Sequence, residues 1–257
     1  MMKIKKLIPY FYAVSLSYLT ASAWTLVEDF EGYNDASEIP CAFYSDSSEA
    51  ALYLLPDPQD DTNQVLHIFS GEIGVDWANT HTAVPIPKRA IVGPGQVATL
   101  YWRAYEVGTD NNWVVGMTDL DEVSSWNHYN LITKVTETST VTIYQRRSYD
   151  AANPPYILDT GVWNHFWLVV DYDAKTYRLW LKGPRDSVPV QHVVHSDRDS
   201  TDFAFRRTPE TEIDHIILTS NSESPGAPNA GDLWYLDDFY ITMGTDLTIP
   251  RAQAEQK

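Results

Sequence analysis

The chain has 257 residues, enough for one large domain, and a hydrophobic content of 44% that argues against disorder of the whole. Its 35 acidic residues outnumber 18 basic ones, giving a formal charge of −17. Nucleic-acid binding depends on clustered Lys and Arg and is disfavoured. Cys41 is the single cysteine, so no disulfide can form within the chain.

Residues 1–23 read as a secretory signal peptide: Lys3, Lys5 and Lys6, an apolar run over 7–19, then the small residues Ala21-Ser22-Ala23. Pro9, Ser15 and Ser17 break the run, which is too short to span a bilayer. The expectation is a secreted, extracellular or periplasmic protein, monomeric, with no membrane partner after leader removal.

Strands are expected at 25–30, 51–55, 64–69, 97–106, 113–117, 128–133, 140–146, 165–172, 176–182, 212–220 and 233–242. Each is short, rich in β-branched or aromatic residues, and bounded by Gly, Pro, Asn or Asp. No window carries an apolar stripe of helical period over three turns. Residues 56–63 and 220–231 read as loops by composition, and 246–257 as a flexible polar tail. Strands at this spacing imply two packed antiparallel sheets in one domain over 24–245.

Residues 161–183 form the most specific pattern, two strands joined by a polar turn. A turn at Asp173–Thr176 sets Tyr172 opposite Tyr177, Val170 opposite Leu179 and Leu168 opposite Leu181. Alternation then puts Phe166, Leu168, Val170, Leu179 and Leu181 on one face. Trp167, Val169, Asp171, Arg178, Trp180 and Lys182 fall on the other, with Asp171 and Arg178 as a cross-strand pair.

That hairpin, together with Val27-Glu28-Asp29-Phe30-Glu31-Gly32-Tyr33 and two late segments, resembles the concanavalin A-like lectin/glucanase superfamily, especially its laminin G-like members. The late segments are Ile213-Asp214-His215-Ile216-Ile217-Leu218 and Trp234-Tyr235-Leu236-Asp237-Asp238-Phe239-Tyr240-Ile241. The resemblance implies an all-β, antiparallel two-sheet β-sandwich, a jelly roll, with one concave sheet on which such proteins bind or cleave glycans. The early and late segments are also similar to calcium-containing carbohydrate-binding modules. That likeness implies first and last strands side by side and a structural calcium on Glu31 and Asp238, with Asp29 and Asp237 next. Hard Ca²⁺ takes oxygen ligands, and adjacent carboxylates repel without a cation. No organic cofactor is expected.

Glycan recognition asks least of the residues. Tyr101, Arg103 and Tyr105 alternate onto one face of their strand, as Trp167, Trp180, Asp171 and Arg178 do on the hairpin. Flat rings suit the C–H face of a sugar, and neighbouring polar groups can bond its hydroxyls. The expected partner is therefore a polysaccharide or oligosaccharide. Two enzyme alternatives stand beside it. Glu212 and Asp214 begin the Glu-x-Asp-x-x-Glu strand of glucanases, but Ile217 occupies the last acidic position. A lyase would need a base, His128 or Tyr129, and a cation to neutralise a uronate, Arg103 or the pair Arg146 and Arg147. A laminin G-like adhesion domain contacting proteins is the third reading.

Overall fold

The computed structural model describes residues 23–250 apart from 49, 70–71, 74–75, 78–79, 109–111, 137, 146–147, 196–198 and 221–233. The expected leader over 1–22, the end of the expected tail over 251–257, and Arg146 and Arg147 lie outside the described residues.

The principal strands in chain order begin with β1 (Thr25–Glu28), β2 (Ala42–Ser45), β3 (Ala51–Asp57) and β4 (Asp60–Phe69). Next come β5 (Thr80–Pro85), β6 (Val97–Glu106), β7 (Trp113–Thr118), β8 (Leu131–Val135), β9 (Val141–Gln145) and β10 (Ser148–Ala151). The hairpin is β11 (Trp163–Asp171) and β12 (Thr176–Lys182). The rest are β13 (Val190–Gln191), β14 (Phe203–Ala204), β15 (His215–Ser220) and β16 (Trp234–Met243). They form two antiparallel sheets in a sandwich. The nine-stranded sheet runs β13-β12-β11-β6-β16-β4-β3, with β1 on β16 and β14 on β12. The seven-stranded sheet runs β10-β9-β8-β7-β15-β5-β2.

Period-two alternation fills the space between the sheets. β6 sends Ala98, Leu100, Trp102 and Ala104 inward, and the hairpin adds Phe166, Leu168, Val170, Leu179 and Leu181, as expected. Trp113, Val115 and Met117 meet them from the facing sheet. Trp102 stacks on Phe166 with ring centroids 4.9 Å apart, and Trp113 on Trp234 at 5.7 Å. Each fully buried ring contributes about 1.5–3 kcal/mol by removing apolar surface from water. The Tyr177 hydroxyl lies 3.0 Å from the carbonyl oxygens of Ile132 and Tyr144, tying β12 to the opposite sheet.

The hairpin register differs from expectation by two residues. Val170 lies opposite Tyr177 and Leu168 opposite Leu179, so both faces are preserved. The turn keeps four residues but sits one position earlier, at 172–175, where the Asp171 carboxylate accepts from the Ala174 N–H at 2.9 Å and Lys175 takes a positive φ of 54°. Asp171 is thereby spent on its own turn. Arg178 instead lies 3.5 Å from Asp202, and the expected Asp171–Arg178 pair does not form. Residues 56–63 are also not an open loop: β3 runs to Asp57 and β4 starts at Asp60, with Asp57 capping Gln59 N at 2.8 Å.

One buried acid in this core has a testable charge. Glu106 at the end of β6 is fully buried and accepts from Trp113 Nε1 at 2.9 Å. Burial pushes its carboxyl from 4.5 to about 7, against the hydrogen bonds from Ser139 and Trp113. The folded state holds a proton that the unfolded chain releases earlier, so this residue costs stability as pH rises from 4.5 to about 7. Urea unfolding of Glu106→Gln should therefore show a stability gain over wild type that is larger by about 2–3 kcal/mol at pH 8 than at pH 4. A pH-independent difference would contradict a buried, neutralised acid.

Candidate functional site

The outer face of the nine-stranded sheet carries three side-chain rows set by register. Trp180, Trp167, Tyr101 and Tyr240 lie side by side on β12, β11, β6 and β16. Lys182, His165, Arg103 and Asp237 form the next row, and Trp163, Tyr105 and Tyr235 the third. The expected sugar platform is therefore brought together, but it is covered. Trp167 and Tyr101 are 0% and 1% exposed, in a cluster with Tyr240, Trp24, Trp180 and Leu247. Residues 244–250 pass over them. Trp167 Nε1 donates to the Thr248 carbonyl at 2.9 Å, Trp24 Nε1 to Thr248 Oγ1 at 3.2 Å, and Thr99 Oγ1 to the Gly244 carbonyl at 2.7 Å. Trp167 and Tyr101 are thus not offered to a ligand; Trp180, Arg178 and Tyr105 stay partly exposed.

Arg103 sits in a nest of carboxylates. Its Nη2 donates to Asp237 at 2.5 Å and to Asp57 at 3.3 Å, and its Nε lies 2.7 Å from Asp238. Trp163 lies over the guanidinium at 4.1 Å and donates from Nε1 to Asp57 at 3.2 Å. Asn63 bonds both Asp237 and Asp57. Burial and the Asp238 charge push the Asp237 carboxyl up, while Arg103 holds it down. His165 is pushed down to about 4 by burial, Arg103 and Lys182, so it is neutral and its Nδ1 can accept from the Tyr101 hydroxyl at 2.7 Å.

The four expected calcium positions lie on the β1–β16 pairing, where first and last strands run together as expected. Their carboxylates are engaged by other partners. No group of three His, Cys, Asp or Glu is arranged to hold an ion among the described residues. Asp237 and Asp238 turn to Arg103, and Glu31 accepts from Gln64 N at 2.7 Å. Asp29 accepts from Glu31 N at 3.3 Å. A guanidinium supplies the positive charge that the ion was expected to supply.

The outer face of the seven-stranded sheet is arranged differently. Residues 119–130 fold back over it, burying Val123 and Tyr129 against Ala83, Val114, Ile132 and Ile217. Tyr129 stands on Gly116, where a Cβ would come within 2.5 Å of the Leu131 carbonyl and 3.0 Å of the Tyr129 ring. The Tyr129 hydroxyl contacts Thr219 Oγ1 and lies 2.8 Å from His81 Nδ1. Burial keeps both neutral: His81 is pushed down to about 4 and the Tyr129 phenol far above its ordinary range. Around this closed trio the surface opens. Tyr44 and Tyr149 are 39% and 37% exposed, and Trp126 and Tyr144 are half-buried. Tyr44 stacks on His81 and Trp126 meets it edge-on. Two cations stand over rings: Arg206 over Tyr144 at 4.1 Å and Lys134 over Tyr149 at 5.1 Å. His81, Tyr149, Lys134 and Arg206 were not singled out from sequence, because nothing near them in the chain marks their convergence.

The lyase candidates fall on opposite sides. His128 and Tyr129 belong to the seven-stranded sheet's outer face and Arg103 to the other, so the three cannot meet one substrate atom. Tyr129 is fully buried, and half-buried His128 accepts at Nδ1 from Ser124 N at 3.3 Å. Asp214 contacts its neighbour His215 at 2.7 Å and lines a shallow pocket with Glu210 and Glu212.

No protein-family model and no curated protein matches the chain. Solved structures do. The catalytic domain of a glycoside hydrolase family 131 protein from Coprinopsis cinerea aligns with TM-score 0.57 at 14% identity, over 87% of this chain and 96% of its own. Peanut lectin aligns with TM-score 0.52 at 11% identity, over 87% and 97%. The chain has the concanavalin A-like jelly-roll fold. A sialidase aligns at TM-score 0.55 and 12% identity; 86% of this jelly roll is covered, yet it spans only 18% of the sialidase. At such identities the likeness establishes fold and leaves activity open.

Two substitutions test this division. Replacing Arg103 by Met leaves three carboxylates facing one another and should cost about 3–5 kcal/mol at neutral pH. The loss should shrink towards pH 4, because protonation then relieves the repulsion. Urea midpoints at both pH values give the readout, and a loss independent of pH contradicts the nest. Trp167→Ala should cost about 3–5 kcal/mol in the same measurement, as expected for a sealed indole; a loss under 1 kcal/mol would mean the ring is free.

Proposed function

We propose that the protein is an exported glycan-binding jelly roll whose ligand lies across the outer face of the seven-stranded sheet. One observation carries the reading. That face keeps Tyr44, Trp126, Tyr144 and Tyr149 open or half-open beside polar and cationic groups, while the centre of the aromatic row on the other sheet, Trp167, Tyr101 and Tyr240, is buried by the chain's own residues. Exposed rings with directional polar neighbours are the chemistry of sugar recognition. The names of the aligned structures, a glycoside hydrolase, a sialidase and a lectin, lean the same way. Binding is favoured over catalysis because it asks only for rings and polar neighbours, which this face has, whereas the lyase set built on Arg103 is split between the two sheets and Ile217 stands where the glucanase pattern needs its last acid.

Affinity electrophoresis through gels containing neutral or acidic polysaccharides tests the proposal. At least one polymer should retard the protein. Trp126→Ala combined with Tyr149→Ala should weaken that retention about tenfold or more while the melting temperature holds within a few degrees. Trp180→Ala, on the other sheet, should leave it unchanged. Free migration through every gel, or equal loss from the Trp180 change, would defeat the proposal.

A further inference from the structure

Resting on that reading, we infer that the ligand is an acidic polysaccharide, its carboxylate or sulfate group taken by Arg206 with Lys134 beside it. The first support is how this chain treats its arginines. Arg103, Arg178, Arg185 and Arg207 each lie within ion-pair distance of an aspartate. Arg206 and exposed Arg89 do not, and of these two only Arg206 stands among the rings: among the described residues no carboxylate pairs with it. Its Nη2 donates to the neutral amide oxygen of Asn127 at 3.3 Å, and its guanidinium rests on Tyr144. In a protein with 35 acidic residues, a carboxylate for this position would be easy to supply. The Arg206 side chain also hydrogen-bonds Tyr149, so the partners of this cation among the described residues are neutral groups.

The second support is preorganisation. Arg206 N donates to the Asn130 carbonyl at 2.7 Å, and Asn130 Nδ2 returns a bond to the Arg207 carbonyl at 3.1 Å. The Arg207 guanidinium is locked onto buried Asp119, whose other oxygen accepts from Glu210 N at 2.6 Å. Adjacent arginines therefore divide the labour: one pins the loop, and the other is presented at the surface. A planar fork of donors suits a carboxylate or sulfate oxygen pair, and a pinned backbone lowers the ordering cost of binding.

The third support is the interleaving. Tyr144 and Tyr149 meet edge-on at 5.2 Å between the two cations, giving cation, ring, ring and cation in succession. Rings can take the C–H faces of successive sugars while the cations take their acidic groups. A chain of charge −17 repels polyanions at long range, so such a ligand needs a local cationic site of this kind. The same repulsion disfavours nucleic acid, whose phosphates are denser.

Polygalacturonate and its methyl ester provide a test on the unaltered protein, because they differ only in the charge of the acidic group. Alginate, dextran sulfate, a neutral β-glucan and single-stranded DNA complete the panel. At least one acidic polymer should bind, at least tenfold more tightly than its uncharged counterpart, with affinity falling as salt rises. Carboxylated and sulfated polymers separate the two anion sources. Arg206→Gln with Lys134→Met should weaken acidic binding at least tenfold and leave the melting temperature within a few degrees. Binding of neutral polymers alone, equal binding of ester and acid, tighter binding of DNA, or unchanged acidic binding by the folded variant would each overturn the inference. The first two outcomes leave glycan recognition standing; retention by no polysaccharide removes both.

Discussion

An aromatic ring on the outer face of a sheet must be either covered or used, since each bare ring leaves a large apolar area against water. A sandwich has two such faces and only one core. The nine-stranded sheet covers the middle of its aromatic face: Trp24 and residues 244–250 lie over Trp167 and Tyr101, and Val65, Trp163 and Tyr235 bury one another, while Tyr53, Trp180 and Tyr105 keep some exposure at its flanks. The seven-stranded sheet covers only the middle of its face, under Tyr129 and Val123. What remains open there is Tyr44, Tyr149 and the cation-bearing rings.

Charge is arranged under a similar constraint. Bringing Asp57, Asp237 and Asp238 together in a partly buried site is tenable only with a positive partner. The chain provides one covalently, through Arg103, with Trp163 and Asn63 fixing its surroundings. This removes Arg103 from the pool of residues that could greet a substrate.

Much of the fold could be read directly from residue order. The strands Val97–Glu106 and Thr176–Lys182 have the expected bounds, and the hairpin faces follow from simple alternation. Its register was harder, because the positive φ at Lys175 and the Asp171 cap depend on local geometry that pattern alone does not specify. Thr80–Pro85 escaped notice because His81, Thr82 and a closing proline hide a strand whose polar side chains are buried. The candidate site was less legible still. Nothing around Trp167 announces that Thr248, 81 positions later, will accept its indole hydrogen. Arg206 likewise gains its meaning only from Tyr144 and Asn127, which arrive from two other parts of the chain.

The position of β16 has a consequence for how the molecule is made. This strand, the last among the described residues, does not lie at a margin: it inserts between β6 and β4, and β1 docks on it as well. Until it emerges from the ribosome, β6 and β4 present unsatisfied backbone edges, the template for mispairing with other chains. Closure of the larger sheet must therefore wait for β16 and is governed by contacts between distant parts of the polypeptide.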